Sequence, residues 1–239
     1  VFAWGLFRIT RSPWVWGVCL LSKGVLVFVG HVENYAWPYA LSIWCFALLK
    51  KSLEEGRPLL PVWLLAGVST LFHPMVLMIW PGLFWGARPW NRRWLSEALL
   101  ALTVTILIFD FFLVIGNVFG FFRLSWIVSL SDSEGTLCPY GIFSWEHLEL
   151  ILGFHLWTLP IGLPLLLLFG HRIRHGWKGG LLVTAGITFL WSLVWCPSMG
   201  AADWDLFAWP ALFINLAGGL AWVEKTTAPD EEHSTGAGD

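Results

Sequence analysis

The sequence predicts an all-α fold, a polytopic integral membrane helical bundle of about eight transmembrane or half-membrane helices. Three observations carry that expectation. Hydrophobic residues make up 57% of the 239-residue chain and charged residues only 13%, with a mean hydropathy of +0.68. A soluble domain carries about a quarter of its residues as charges, so this chain has too few to wet the outside of a globule. Apolar runs of membrane-spanning type alternate with short polar loops. Twelve of the fourteen basic residues fall in loops that can all lie on one side of a membrane. A soluble enzyme, a nucleic-acid binder and a disordered scaffold are excluded together.

Taken in order, the apolar runs predict helices over roughly 13–30, 35–49, 59–72, 74–87, 95–116, 145–170, 179–198 and 204–223, with residues 1–7 as the tail of an earlier helix. Arg8, Arg11, Lys50, Lys51, Arg57, Arg88, Arg92, Arg93, Arg172, Arg174, Lys178 and Lys225 lie between them. The positive-inside rule makes their side cytoplasmic. Arg123 alone falls in an opposite loop, and Lys23 lies inside a helix.

The same rule decides how 59–87 is arranged. One continuous span would carry Arg88, Arg92 and Arg93 to the far side. Two short helices turning at His73-Pro74 return them. A helix of about fourteen residues reaches about 21 Å against a hydrocarbon core of roughly 30 Å, so the turn is expected in a recessed, protein-lined or wet cavity. Residues 1–225 then form one transmembrane helical domain, with 59–87 a short helical hairpin and 117–144 an extracytoplasmic loop. The stretch 226–239 reads as a disordered, acidic cytoplasmic tail. Cys19, Cys45, Cys138 and Cys196 are scattered without CxxC spacing, which leaves no readable disulfide framework or zinc site. The chain opens on Val1 without a leader and is expected to be a piece of a longer polypeptide.

Four constellations can carry chemistry. His31, Glu33, Asn34 and Tyr35 stand at the junction of two helices, where ionisable groups are costly unless paired. The competing reading is an interfacial turn with Tyr35, Trp37 and Tyr39 as an aromatic belt. His73 precedes Pro74, which frees helix carbonyls; it either caps them or holds a ligand phosphate. Asp203 and Asp205 precede the last helix, where one acid complements the helix dipole, while an Asp-x-Asp pair also fits a divalent cation or a base. Ser144 reads as an N-cap with Glu146 and His147 in the first turn. Asp110 and Lys23 are intramembrane charges that need partners.

The Gly-His-Val-Glu-Asn-Tyr turn (30–35), the Phe-His-Pro turn (72–74), the Phe-Ser-x-x-His-Leu helix start (143–148) and Asp-Trp-Asp-Leu-Phe (203–207) together resemble bacterial multi-spanning glycosyltransferases of the GT-C type. The resemblance covers most of 15–223. It implies a bacterial cytoplasmic-membrane enzyme that takes a sugar from a polyprenyl-phosphate donor at the extracytoplasmic face. It carries over to Glu33, Asn34, Tyr35, His73, Asp203 and Asp205, which with His31 are the candidate substrate-binding residues. That family holds its catalytic acidic motif in a first large outer loop, expected here before Val1, so no catalytic residue is assigned. The implied partners are membrane lipid and the lipid-linked sugar, with no nucleic acid; a divalent cation is the one cofactor considered. The competing reading is a non-catalytic subunit of a larger membrane complex, with His155 as the best ligand for haem or a pigment. Transport is weaker, because the halves show no inverted repeat.

Overall fold

The computed structural model of the chain describes residues 1–23, 36–118, 140–195 and 204–227. Among the described residues it is all-α, with ten α-helices: α1 (Phe2–Ile9), α2 (Pro13–Leu20), α3 (Ala36–Glu54), α4 (Leu60–Phe72), α5 (Trp80–Gly86), α6 (Arg92–Val118), α7 (Trp145–Thr158), α8 (Gly162–Phe169), α9 (Gly176–Ser192) and α10 (Trp204–Thr227).

Local chemistry sets most of the boundaries. Ser12 precedes Pro13, which suits the first helical position because its missing N–H would be unpaired there. Gly56, at φ +64°, ends α3, and the Arg57 N–H returns to the Ser52 carbonyl. The Asn91 Oδ1 accepts from the Trp94 N–H at 2.8 Å and starts α6. Ser144 is the N-cap of α7, its Oγ accepting from the His147 N–H at 3.2 Å.

Prolines break two of the expected elements, and a third proline leaves its helix intact. The run 74–87 is not one α-helix: Pro74–Ile79 is a 3-10 turn and α5 restarts at Trp80. Pro81 explains the change, since it supplies no N–H and its ring would collide with the Leu77 carbonyl in an α-helix. The run 145–170 breaks at Leu159-Pro160-Ile161, where the helices on either side diverge by 90°. Pro160 drives Leu159 out of the helical region. The third, Pro210, lies inside α10 and is tolerated there. This last helix runs to Thr227, two residues into the expected tail; 228–239 lie outside the described residues, as do 119–139 of the expected loop.

The centre of the bundle is α10, which packs against α2, α7, α8 and α9. Its side chains from Phe207 to Ala217 are buried all round, the mark of a core or membrane helix. Phe207–Thr227 is one helix, among the described residues, long and apolar enough to cross a membrane; 83% of its most apolar window is buried in the fold. A second layer joins α1 and α4 to α3, α6 to α4, and α5 to α9.

Small residues allow the closest crossings. A Cβ on Gly180 would meet the Gly82 carbonyl and lie 2.9 Å from the Gly86 Cα, so α5 and α9 touch backbone to backbone through Gly82-x-x-x-Gly86. Gly162 of α8 and Gly218 of α10 meet in the same way. Such contacts gain dispersion without needing a hydrophobic drive between the helices.

Polarity is unevenly distributed. Ser42, Ser69, Thr70, Thr184, Thr188 and Asn215 are buried, whereas Leu64 and Val68 of α4, Leu100 and Phe111 of α6, and Leu152 and Leu156 of α7 are exposed. Charge is equally uneven. The Lys50 Nζ donates to the Ile9 carbonyl at 2.8 Å, and Lys178 pairs with Glu224. These contacts, with the aromatic pair Phe169 and Trp222, bring the ends of α1, α3, α8 and α10 and the start of α9 together at one basic end.

Candidate functional site

The opposite end holds a cavity of about 490 Å³ lined by Lys23, Glu146, Glu149, Gly153, Phe154 and Trp157 among others. A single face of α7 builds most of it, because positions 146, 149, 150, 153, 154 and 157 recur at helical spacing. Gly153 keeps the space open: a Cβ there would meet nothing within 4 Å. Lys23, just beyond the end of α2, sets its Nζ 3.9 Å from the centre of the Trp157 ring. An ammonium over an indole is a favourable pairing, and it holds the Lys23 side chain at the cavity wall. Two carboxylates and one ammonium thus border a mostly apolar space at the end of the bundle remote from the basic loops.

The other face of α7 is structural. The His147 Nε2 donates to the Leu193 carbonyl at 2.8 Å and satisfies the end of α9. Two turns further, the His155 Nε2 lies 3.2 Å from the Ser192 Oγ, whose hydroxyl donates to the Phe189 carbonyl at 2.6 Å. The His155 ring is packed against Phe189 and Phe207 with centroids 5.2 and 6.1 Å away. Both histidines brace α7 against its neighbours.

The start of α10 abuts the cavity wall, for Phe207 stacks on Phe154 at 4.2 Å and 10° from parallel. Asp205 lies two residues before that contact, in the first turn of α10. His73 sits half-buried at the break after α4, where its Nδ1 accepts from the Met75 N–H at 3.2 Å. Its Nδ1 therefore caps the turn that follows, and the proton of the neutral ring is on Nε2. Trp37, at the start of α3, stacks on Phe72 at 6.3 Å and places the beginning of α3 beside that tip. His31, Glu33, Asn34, Tyr35 and Asp203 lie outside the described residues, and the side chain of Asp205 does too.

Glu149 and the pairing of Lys23 with Trp157 were not singled out by the sequence reading. The Glu-x-x-Glu-x-x-x-Gly-x-x-x-Trp spacing from Glu146 to Trp157 is the available signal, since those positions share one helical face. Among the described residues there is no group of three or more His, Cys, Asp or Glu placed to hold a metal ion. Comparison with protein-family models, curated proteins and solved structures finds no match to this chain.

Proposed function

We propose that this chain is a membrane glycosyltransferase of the GT-C type, or a fragment of one, working on a lipid-phosphate sugar donor at the end of the bundle remote from the basic loops. The cavity of Lys23, Glu146 and Glu149 carries this reading. Glycosyl transfer needs a base for the acceptor hydroxyl and a cation for the departing phosphate, and this cavity borders both. In the step, the acceptor oxygen bonds to the anomeric carbon as the bond from that carbon to the phosphate oxygen breaks. The bonding pair leaves with the phosphate, beside the Lys23 ammonium. The acceptor's proton passes to a carboxylate, for which Glu149 and Glu146 are the described choices.

The membrane setting is supported by the exposed leucines and phenylalanines over buried serines and threonines, by the apolar length of α10, and by α6. In α6, Asp110 is the single ionisable residue from Ala98 to Val118. The basic end is then cytoplasmic, as is the tail, and the membrane is the bacterial cytoplasmic membrane. The test is sugar transfer from a polyprenyl-phosphate-linked sugar by membranes containing the full-length protein. Transfer that depends on Glu149 or Lys23 supports the reading; membranes that hold the protein and give no transfer from any such donor overturn it.

A further inference from the structure

We propose that a second cavity, at the basic end, binds the phosphate of an anionic phospholipid headgroup. It measures about 640 Å³ and is lined by Trp85, Arg88, Pro89, Trp90, Arg174 and His175, with Gly176 at its edge. The Arg88 guanidinium is held over two indoles, 3.7 Å from the centre of Trp85 and 4.9 Å from that of Trp90. The Trp90 Nε1 donates to the Phe84 carbonyl at 2.7 Å, which fixes that ring. Arg88 is thereby positioned before any ligand arrives, so little side-chain freedom is lost on binding.

The charge of this cavity is uncompensated. The four carboxylates of the described basic end are committed elsewhere: Glu54 to Lys50, Glu55 to Arg57, Glu97 to Arg93 and Glu224 to Lys178. No acidic residue lines the cavity, and two guanidiniums do. The start of α9 adds to the positive potential, for it has no side-chain cap and its first residue, Gly176, has no side chain to obstruct an anion. Guanidiniums match the bidentate geometry of phosphate oxygens.

Exposed Trp85 and Trp90 decide between a lipid and a free anion. Indoles favour the headgroup level of a bilayer, so the cavity opens where phospholipid phosphates lie. Basic pockets between helices on the cytoplasmic side suit such headgroups. This inference rests on the membrane reading given above, while the cavity is distinct from that of Lys23.

The test is native mass spectrometry of the protein released from nanodiscs of phosphatidylcholine doped with phosphatidylglycerol. The wild type should retain phosphatidylglycerol selectively. Arg88→Gln with Arg174→Gln should lose that preference by roughly fivefold per arginine. Arg88→Lys with Arg174→Lys should recover part of it, since charge returns without the planar fork. Arg8→Gln with Arg11→Gln removes the same charge at the same end and should keep the preference. Equal loss in the two glutamine pairs would overturn the proposal in favour of a diffuse surface field. Displacement of the lipid by inorganic phosphate would overturn it in favour of a free-anion site. A chain that does not enter nanodiscs at all refutes the membrane reading itself, whereas one that enters and shows no lipid preference refutes only this site.

Discussion

The indole of Trp63 in α4 stacks on that of Trp80 beyond the His73 break, with ring centres 6.1 Å apart and planes 15° from parallel. Trp63 also lies 5.2 Å from Phe84. In an unbroken helix, residues so far apart in sequence would be separated by about 25–30 Å. The chain therefore doubles back at His73, and the Trp80 Nε1 donates to the Thr70 Oγ1 at 3.2 Å across the fold.

A reversal at His73 returns the chain to the side it left. With Cys138 and Cys196 replaced, Glu55→Cys and Asn91→Cys are expected to react with a membrane-impermeant thiol reagent from the same, cytoplasmic side. Both positions are exposed, whereas Cys19 and Cys45 are buried and stay silent. Labelling from opposite sides would refute the arrangement.

Backbone contact between α5 and α9 makes Gly180 intolerant of any side chain. Gly180→Leu should destabilise by about 1–3 kcal/mol through overpacking. Gly186→Leu, where a Cβ meets nothing within 4 Å, should leave thermal stability nearly unchanged. Detergent-solubilised melting of the two variants makes the comparison, and equal melting would count against the close crossing.

Pro160 leaves the last carbonyls of α7 without their helical partners, and the Asn215 Nδ2 supplies one, donating to the Thr158 carbonyl at 2.9 Å. Asn215→Ala should cost about 1–3 kcal/mol, the penalty for a buried acceptor left unpaired. A melting temperature unmoved from wild type would show that the 90° corner is held by something else.

Charge removal at the candidate site separates chemistry from capping. In the full-length protein, Asp203→Asn and Asp205→Asn should leave stability nearly unchanged, since Asn and Asp cap about equally. The carboxylate that takes the acceptor's proton, tested through Glu146→Gln, Glu149→Gln and these two, should lose roughly 10²–10⁴-fold in sugar transfer. Full activity in all four variants would remove the general-base assignment.

Filling the cavity gives a steric counterpart. Gly153→Leu places a side chain in open space, so the fold should hold while transfer falls steeply. Unchanged KM and kcat in that variant would show that the donor and acceptor do not use this space.

How much of this was legible in advance differs by element. The all-helical class follows from composition and apolar run length alone, because a chain so poor in charge must hide its backbone polar groups in helices if its surroundings are apolar. Ser144 and Pro13 mark helix starts by local rules that need no tertiary partner. The expected site is less fully expressed. Of its seven candidate residues, only His73 has a described side chain, and its use as a cap for the Met75 N–H depends on a backbone turn that spacing does not reveal.

What the sequence determined by itself was the segregation of charge and the turn at His73-Pro74, since a proline removes an N–H and a basic loop has a preferred side wherever the rest of the chain lies. Only the tertiary structure decided which faces meet. The face of α7 that carries Glu146 and Glu149 borders a cavity because Lys23 settles over Trp157, and the face that carries His147 and His155 turns inward because α9 offers the Leu193 carbonyl and the Ser192 hydroxyl. Both faces have the same period and similar polarity. Their roles are therefore set by contacts made across the fold, at distances in sequence that no local pattern encodes.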